Sequence, residues 1–174
     1  YKKEQFLYLK EKYSNITLIE NTEYTKKNNI SSLKAVGNIL GSSDCFICET
    51  DLFVKDSSIF KGVFKKSCYF GKMVKGHSKD WVFDMAGDRI TRVGLEGDNL
   101  YNMVGISYWK KADAKVIHDA IQEAYKHQGH ENLYWDEIVD KEIKNIYVTI
   151  NPVDEKQIVE IDTCEELFKV NDDI

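Results

Sequence analysis

The sequence predicts an α/β domain in which a parallel core is interrupted by an antiparallel insertion, and three observations support this. The apolar run CFICETD, over 45–51, hardly alternates, which is typical of a strand buried on both faces of a helix-covered parallel sheet. Residues 60–109 hold β-rich runs separated by Gly-containing turn signals, without a helical pattern between them. Residues 112–127 carry an apolar stripe at helical spacing. With 174 residues, 43% of them hydrophobic, the chain 1–174 is expected to form a single domain.

Helical and strand patterns alternate in the first third of the chain. A cap at Ser31 or Ser32 is expected for the second helix. The predicted elements are a helix over 2–13, a strand over 16–21, a helix through 33–40 and the strand over 45–51.

Strands dominate the middle of the chain, and helices return after it. Since short turns connect the middle strands, we expect them to be antiparallel. They are predicted over 64–73, 81–87, 89–97 and 101–110. They are followed by a helix over 112–127 that Gly129 ends, a helix up to about Ile143, strands over 146–152 and 157–162, and a helix that Thr163 and Glu166 open with a capping box.

Composition excludes several classes of partner. The 24 basic and 29 acidic residues are interleaved and give a net charge of -5, so no basic stripe indicates a nucleic-acid partner. No apolar run reaches the roughly 18 residues of a membrane span, and the chain is expected to be cytoplasmic. Cys45 and Cys48 form a C-x-x-C without a second pair at zinc spacing, which favours buried, reduced thiols over a zinc or redox site.

Asp51 is the first candidate site residue. It ends the predicted strand 45–51, with Glu49 two residues earlier. In open α/β sheets ligands bind beyond the carboxyl ends of the strands, and Mg²⁺ takes one or two carboxylates there. An ordinary turn or cap residue is the alternative interpretation.

Aromatic residues near the edges of elements form the second candidate group. In the stretch ENLYWDEIVD, over 131–140, two rings precede the carboxylate of Asp136. Several rings around one cavity would hold a quaternary ammonium, which is attracted to ring faces; core packing is the alternative. The candidate rings are Trp81, Tyr108, Trp109, Tyr134 and Trp135.

These residues lie in motifs that resemble a known family. NNISSL (28–33), ETDLF (49–53) and LYWDEIV (133–139) are similar, in order and spacing, to segments of the nucleotidyltransferases that activate small phosphorylated compounds. The resemblance is strongest to the bacterial CTP:phosphocholine cytidylyltransferases. It implies a Rossmann-like fold of the nucleotide-diphospho-sugar transferase type, with a mixed sheet flanked by helices.

The resemblance also implies a reaction and roles. CTP and phosphocholine would give CDP-choline and pyrophosphate, through Mg²⁺-dependent in-line attack on the α-phosphate. Asp51 and Asp136 would be catalytic and would hold Mg²⁺. The implied binding residues are Trp81, Tyr108, Tyr134 and Trp135 around the trimethylammonium group and Asn29 and Ser32 beside the nucleotide.

Other activities stay open. Glu131, Glu137 and Asp140 keep a cytidylyltransferase for aminoethylphosphonate or phosphoethanolamine possible, because a carboxylate is expected to meet a primary ammonium. A sugar-1-phosphate nucleotidyltransferase and a non-catalytic binding module are the remaining alternatives.

Two departures from the family pattern stand out. The family's opening strand and Gly-rich G-x-G-x-R loop have no match here, which suggests that Tyr1 is an internal residue and that roughly 50 to 60 residues of the catalytic domain are missing. On that interpretation the chain is the C-terminal part of the domain and is incomplete by itself. Ser31 stands where a larger side chain is common in the family.

Overall fold

The computed structural model describes residues 2–172, so the prediction about Tyr1 concerns a position outside the described residues. The helices are α1 (Tyr8–Lys12), α2 (Ile30–Val36), α3 (Lys111–Ala124), α4 (Trp135–Glu142) and α5 (Cys164–Asp172). The strands are β1 (Cys45–Cys48), β2 (Leu52–Val54), β3 (Ser67–Met73), β4 (His77–Ala86), β5 (Arg89–Asp98), β6 (Tyr101–Trp109), β7 (Val148–Pro152) and β8 (Ile158–Glu160).

A mixed sheet of six strands forms the centre of the molecule. Its order is β1-β6-β3-β7-β5-β4, and β2 and β8 form a separate two-stranded ladder. β3 and β7 run parallel, whereas the other described pairings of the large sheet are antiparallel. The predicted α/β class, with a mixed sheet flanked by helices, is confirmed.

The apolar strand β1 departs from its predicted setting. It pairs antiparallel with β6, from Cys45 opposite Trp109 to Cys48 opposite Ile106, so the prediction of a parallel neighbour is wrong for the described pairings. Its lack of alternation has another cause. Ile47 packs against the cluster under the helices, whereas Phe46 packs against a second apolar cluster. Each face of β1 therefore meets its own core.

The antiparallel insertion is present as predicted. β4 and β5 form a long hairpin, and β6 returns beside β3. Two shorter pairings connect the hairpin to the rest of the sheet: β4 meets β6 at Val82 and Asn102, and β5 meets β7 at Arg89 and Thr149. The pairings β3-β6-β4-β5-β7-β3 therefore form a closed circuit.

The N-terminal region differs from the prediction. No strand forms over 16–21, and the helix predicted over 2–13 is reduced to a 3-10 turn and the five residues of α1. The side chains of Phe6 and Tyr13 are 47% and 45% exposed. A short helix without tertiary packing is marginal in water, so apolar spacing alone overestimated its length.

The predicted helix boundaries are partly corrected. α2 begins at Ile30 with Asn29 at the cap position, so neither Ser31 nor Ser32 is the cap. Ser31 instead donates from its hydroxyl to the carbonyl of Asn28 at 2.8 Å. α3 ends at Ala124, before Gly129, whose φ of +90° opens a following 3-10 turn.

The capping box of α5 is confirmed. The backbone N–H of Glu166 donates to Thr163 Oγ1 at 3.2 Å, and the backbone N–H of Thr163 donates to Glu166 Oε2 at 2.9 Å. Each of these two backbone N–H groups at the helix start thereby has a hydrogen-bond acceptor.

Two apolar clusters fill the interior. The larger lies between the sheet and α2, α3 and α4 and contains Trp109, Ile117 and Trp135. The smaller lies around Phe70 and Ile106. Together they hold the strands that carry the candidate site.

The remaining chain-wide predictions concern membranes and thiols. None of the helices within 2–172 has the length and apolar character that a membrane crossing needs. The four cysteines are free thiols, and of the two that were predicted to be buried, Cys45 is half-buried and Cys48 is exposed.

Candidate active site

An open cavity of about 800 Å³ lies between the insertion and the C-terminal strands. β4 and β6 supply one wall, the start of α4 supplies another, and β8 closes the third side. The predicted site residues that line it are Asn29, Trp81, Tyr134 and Asp136.

Three carboxylates meet beside this cavity. One oxygen each of Glu49, Asp51 and Glu160 lies within 4.8 Å of the others. The β2–β8 ladder brings them together, because Leu52, next to Asp51, pairs with Glu160. The Ile161 amide also donates to the carbonyl of Asp51 at 2.8 Å. Asp51 therefore precedes a new strand instead of ending β1. Its carboxylate is nevertheless close enough to those of Glu49 and Glu160 for the three to bind one metal ion.

Glu160 is the member of this group that the sequence analysis did not select. It lies two residues before the end of the predicted strand over 157–162, as Glu49 lies two residues before Asp51, and it is the last residue of β8. The signal was therefore available, but the pairing of β8 with β2 was not visible in the sequence.

Glu49 is positioned by a glycine. Its backbone N–H donates to the carbonyl of Gly105 at 2.9 Å. Gly105 has φ +73°, and a Cβ built there would stand 2.6 Å from Glu49 Oε2. Only glycine fits this backbone conformation and leaves room for the carboxylate.

Crowding of negative charge perturbs the carboxylates. Burial raises the pKa of Glu49, and the carboxylates of Asp51 and Asp162 raise it further. Burial likewise raises the pKa of Glu160, helped by Asp162 and Asp51. A bound cation would relieve this repulsion, so the group has the character of a cation site.

Asp136 occupies the first turn of α4, as predicted, but it is 3% exposed and lies outside the three-carboxylate group. The hydroxyl of Tyr69 donates to Asp136 Oδ1 at 2.8 Å. Burial raises the pKa of Asp136 to about 7, against the opposing effect of that hydrogen bond, and the carboxylate of Glu49 adds to the rise. Glu49 thus couples Asp136 electrostatically to the exposed group.

Only some of the candidate rings face the cavity. Trp81 and Tyr134 line it, with ring centroids 5.4 Å apart in an edge-on arrangement. Trp135 is 7% exposed and packs against Tyr69 and Trp109 in the larger core. For Trp135 the structure therefore agrees with core packing, the alternative interpretation of the candidate rings.

Tyr108 and Trp109 also lie away from the cavity wall. Trp109 is fully buried in the larger core. Tyr108 packs against Phe46 and Phe64 in the smaller cluster, and its hydroxyl donates to Asp44 at 2.9 Å. The structure therefore brings two of the five rings to the cavity.

The two residues expected near the nucleotide have different surroundings. Asn29 lines the cavity, and its side-chain oxygen accepts a hydrogen bond from the backbone N–H of Trp135 at 2.9 Å. Ser32 is exposed on α2, where its hydroxyl accepts from Asn21 at 3.2 Å. Asn29 thus ties the start of α4 to the start of α2.

Comparison with known proteins identifies the family. The chain is 46% identical over 168 residues to 2-aminoethylphosphonate cytidylyltransferase of Lancefieldella rimae, covering 96% of this chain and 68% of that protein. The chain belongs to the cytidylyltransferases. A second cytidylyltransferase, the choline-phosphate enzyme of Streptococcus pneumoniae, is 29% identical over 173 residues, covering 99% of this chain and 74% of that protein. No family model matches the chain.

A solved cytidylyltransferase structure agrees with the fold. The CTP:phosphocholine cytidylyltransferase of Streptococcus pneumoniae superimposes with a TM-score of 0.83 at 28% identity, covering 99% of this chain and 74% of that chain. The nucleotidyltransferase family that the motifs predicted is thereby confirmed, and cytidylyltransferases are enzymes of that class.

Proposed function

We propose that this chain belongs to an enzyme that transfers the cytidylyl group of CTP to 2-aminoethylphosphonate. The aromatic and acidic side chains around the cavity are the observation on which this acceptor is chosen. A primary ammonium donates three hydrogen bonds to carboxylates, whereas a trimethylammonium donates none and depends on ring faces. The cavity has two aromatic rings, Trp81 and Tyr134, and its carboxylates include Asp80 and Asp162, which remain for an ammonium once Glu49, Glu160 and Asp136 are assigned to the cation and to catalysis. Glu155, which also lines the cavity, is paired with Lys72.

Similarity to known enzymes supports the same acceptor. Identity is 46% to a 2-aminoethylphosphonate cytidylyltransferase. It is 29% and 27% to the choline-phosphate cytidylyltransferases of Streptococcus pneumoniae and Haemophilus influenzae. Both acceptors present an anionic phosphorus group and a cationic nitrogen, so the reaction would be the same.

In this reaction a phosphonate oxygen attacks the α-phosphorus of CTP in line. A new P–O bond forms to the acceptor, the bond between the α-phosphorus and its bridging oxygen breaks, and pyrophosphate leaves. Both reactants are anionic, so alignment and charge neutralisation supply most of the catalysis. No covalent enzyme intermediate is required.

Glu49, Asp51 and Glu160 fit a divalent cation, and we propose Mg²⁺. Their oxygens are hard ligands of the type Mg²⁺ prefers, and they stand close enough to share one ion. Burial, and then the neighbouring carboxylates, raise the pKa of Glu49 and of Glu160. When bound there, Mg²⁺ would neutralise charge on the reacting phosphoryl oxygens. Asp136 is proposed as the second catalytic carboxylate, held by the hydroxyl of Tyr69.

Phosphocholine is the second candidate acceptor. The pair of Trp81 and Tyr134 favours it, because both rings line the cavity and aromatic rings attract a methylated cation. Trp135 and Tyr108 pack in the larger and the smaller cluster and are not proposed as contacts of the acceptor. Asn29 and Ser32 are proposed on the nucleotide side for either acceptor.

Pyrophosphate release by the intact protein tests the reaction and its acceptor together. CTP and Mg²⁺ are supplied with 2-aminoethylphosphonate, phosphoethanolamine or phosphocholine. We expect kcat/KM to be at least about tenfold higher for 2-aminoethylphosphonate than for phosphocholine, since each charge-assisted hydrogen bond to the ammonium is worth about 1.5–3 kcal/mol. Faster turnover of phosphocholine would reverse the order of the two candidates, and no turnover with any acceptor would favour the binding module.

A metal-ligand variant tests the role of the carboxylates. Asp51→Asn should lower turnover by more than about 100-fold, because even changes to the outer partners of metal ligands typically cost 10- to 100-fold. Asp98→Asn is the matched control, since Asp98 is an exposed β5 residue whose carboxylate faces His77 at 3.1 Å. Equal activity of the two variants would argue against a metal at Asp51.

A further inference from the structure

We propose that Asp80 determines acceptor specificity, by accepting a hydrogen bond from a primary ammonium that a trimethylammonium cannot donate. The inference rests on the proposed function and deepens it. Asp80 lies on β4 next to Trp81, and both line the cavity.

A β-bulge brings Asp80 to the cavity. In a regular strand, successive side chains point to opposite faces, so Asp80 and Trp81 should not share a wall. The pairing of β4 with β5 shifts register between Ser78 and Trp81. As a result, the three consecutive residues Lys79, Asp80 and Trp81 all line the cavity. Re-aiming a side chain beside an active site is a common role of bulges.

Two neighbours hold the Asp80 carboxylate in place. Asn102 Nδ2 donates to Asp80 Oδ2 at 3.0 Å and to Ser78 Oγ at 2.7 Å. The backbone N–H of Asp80 donates to the same Ser78 oxygen at 3.2 Å. These side-chain bonds engage Oδ2, so Oδ1 can accept a hydrogen bond from a ligand. The carboxylate is thus oriented before an acceptor arrives, which limits the entropy lost on binding.

Asn102 offers a second acceptor at the same place. Its amide nitrogen must face Asp80, because a carboxylate can only accept hydrogen bonds. Its amide oxygen is buried and has no partner within the described residues. A buried acceptor without a partner is uncommon, and an N–H donor in the cavity would satisfy it.

Asp80 also faces the other acidic wall. Asp80 on β4 and Glu160 on β8 both line this cavity. The rings of Trp81 and Tyr134 attract either head group, because any cation is drawn to a ring face. Asp80 and Asn102 also line the cavity, and their oxygens can accept a hydrogen bond from an N–H cation but not from a methylated one.

Stepwise methylation of the acceptor tests the inference. Steady-state kcat/KM is measured with CTP and 2-aminoethylphosphonate carrying none to three N-methyl groups, in the intact wild-type protein and in Asp80→Asn. In the wild type we expect kcat/KM to fall by about 10- to 100-fold along the series. In Asp80→Asn the unmethylated acceptor should lose about 10- to 100-fold while the trimethylated one changes little, so the preference flattens.

Control variants separate specificity from folding. Asp98→Asn, on β5 and outside the cavity lining, should keep the wild-type preference, and thermal unfolding reports whether each variant is folded. If Asp80→Asn does not fold, Asn102→Ala is used, because it keeps the carboxylate but removes the donor that orients it. It should weaken the preference mainly through KM.

The outcomes distinguish this inference from the proposed function. Absence of pyrophosphate release from every acceptor in the wild type would overturn the proposed function. Turnover of 2-aminoethylphosphonate with an undiminished preference in folded Asp80→Asn, or in folded Asn102→Ala where that variant is used, would overturn the assignment of Asp80 alone. Loss of activity by the same factor for all four acceptors would also overturn it, because Asp80 would then not distinguish the acceptors by the number of their N-methyl groups.

Discussion

Two adjacent residues, Tyr134 and Trp135, have opposite surroundings although the sequence presents them as one aromatic pair. Tyr134 is 42% exposed at the cavity and stands before the first turn of α4, whereas Trp135 is 7% exposed and inside the core. A helix start explains the difference, because the extended backbone of Tyr134 ends where the helical backbone of Trp135 begins. Neighbouring side chains then leave in different directions.

Alanine substitutions at these two positions should separate stability from binding. Trp135→Ala should lower the free energy of unfolding by about 3–5 kcal/mol, since it removes a large ring from a packed core. Tyr134→Ala should cost less than about 1 kcal/mol of stability but weaken acceptor binding. Urea unfolding and calorimetric titration with the acceptor measure the two effects. If Trp135→Ala were stable and bound the acceptor poorly, Trp135 would be a cavity residue after all.

Gly105 is a residue whose role depends on the absence of a side chain. Gly105→Ala should destabilise the protein by about 1–2 kcal/mol, from its φ of +73°, and should also displace the Glu49 carboxylate. Gly87→Ala is a matched control, because Gly87 has φ +64° and a Cβ there would meet nothing within 4 Å. Titration of Mg²⁺ should therefore show weaker binding in the Gly105 variant alone. Equal Mg²⁺ affinity in both variants would remove Glu49 from the metal site.

Residue patterns predicted part of the site, for reasons that the structure explains. Asp51, with Glu49 two residues earlier, was predicted because it follows an apolar run, and Asp136 because it follows two aromatic residues in a motif that resembles the family. Glu160 and Asp80 depend on the β2–β8 pairing and on the β4 bulge. Both features involve contacts between distant segments or a local register shift, and neither leaves a periodic signal in one sequence.

At the scale of elements, the start of α3 is held by a residue far away in the chain. Asp44, just before β1, accepts hydrogen bonds from the Lys111 backbone N–H at 2.7 Å and from the Tyr108 hydroxyl at 2.9 Å, and it pairs with the Lys110 ammonium. The helix has no cap from its own N-cap side chain. Asp44 therefore joins β1, β6 and α3 through one carboxylate.

Acid unfolding should expose this link. The hydrogen bond from Lys110, followed by those from Lys111 and Tyr108, lowers the pKa of Asp44 from 3.8 to about 2. A carboxyl with a lowered pKa in the folded state stabilises the fold above the unfolded value, and this stabilisation is lost as the pH falls towards 2. The midpoint of urea unfolding should therefore fall less steeply between these pH values in Asp44→Asn than in the wild type. Lys110→Met should reduce the slope in the same direction, and unchanged slopes in both variants would contradict the link.

Element patterns were predicted best where the elements are long and periodic. The hairpin strands, α3, α4 and the capping box of α5 follow from spacing that a single sequence displays. The strand predicted over 16–21 failed, because its few β-rich residues find no strand partner among the described residues. β1 was recognised as a strand, but its antiparallel partner was not, since apolar runs do not encode strand direction.

At the scale of the whole molecule, one long-range pairing organises the site. β3 and β7 lie side by side in parallel although the insertion and two helices separate them along the chain. The sequence predicted an α/β core with an insertion, but it could not specify which strands meet. The cavity forms where the insertion and the segment after β7 face each other. The residues that line it can therefore be identified only when the pairing of the strands is known.

The circuit of strand pairings β3-β6-β4-β5-β7-β3 also affects how the protein unfolds. In an open sheet, an edge strand can detach by breaking one ladder, and each edge invites pairing with another chain. In the circuit, each of these five strands is paired on both sides, although β5 meets β7 through one residue pair and β4 meets β6 through two, so a strand that detaches breaks pairings on both of its sides. The insertion and the parallel pair are therefore expected to lose structure as one cooperative unit, and the two walls of the cavity would persist or disappear together.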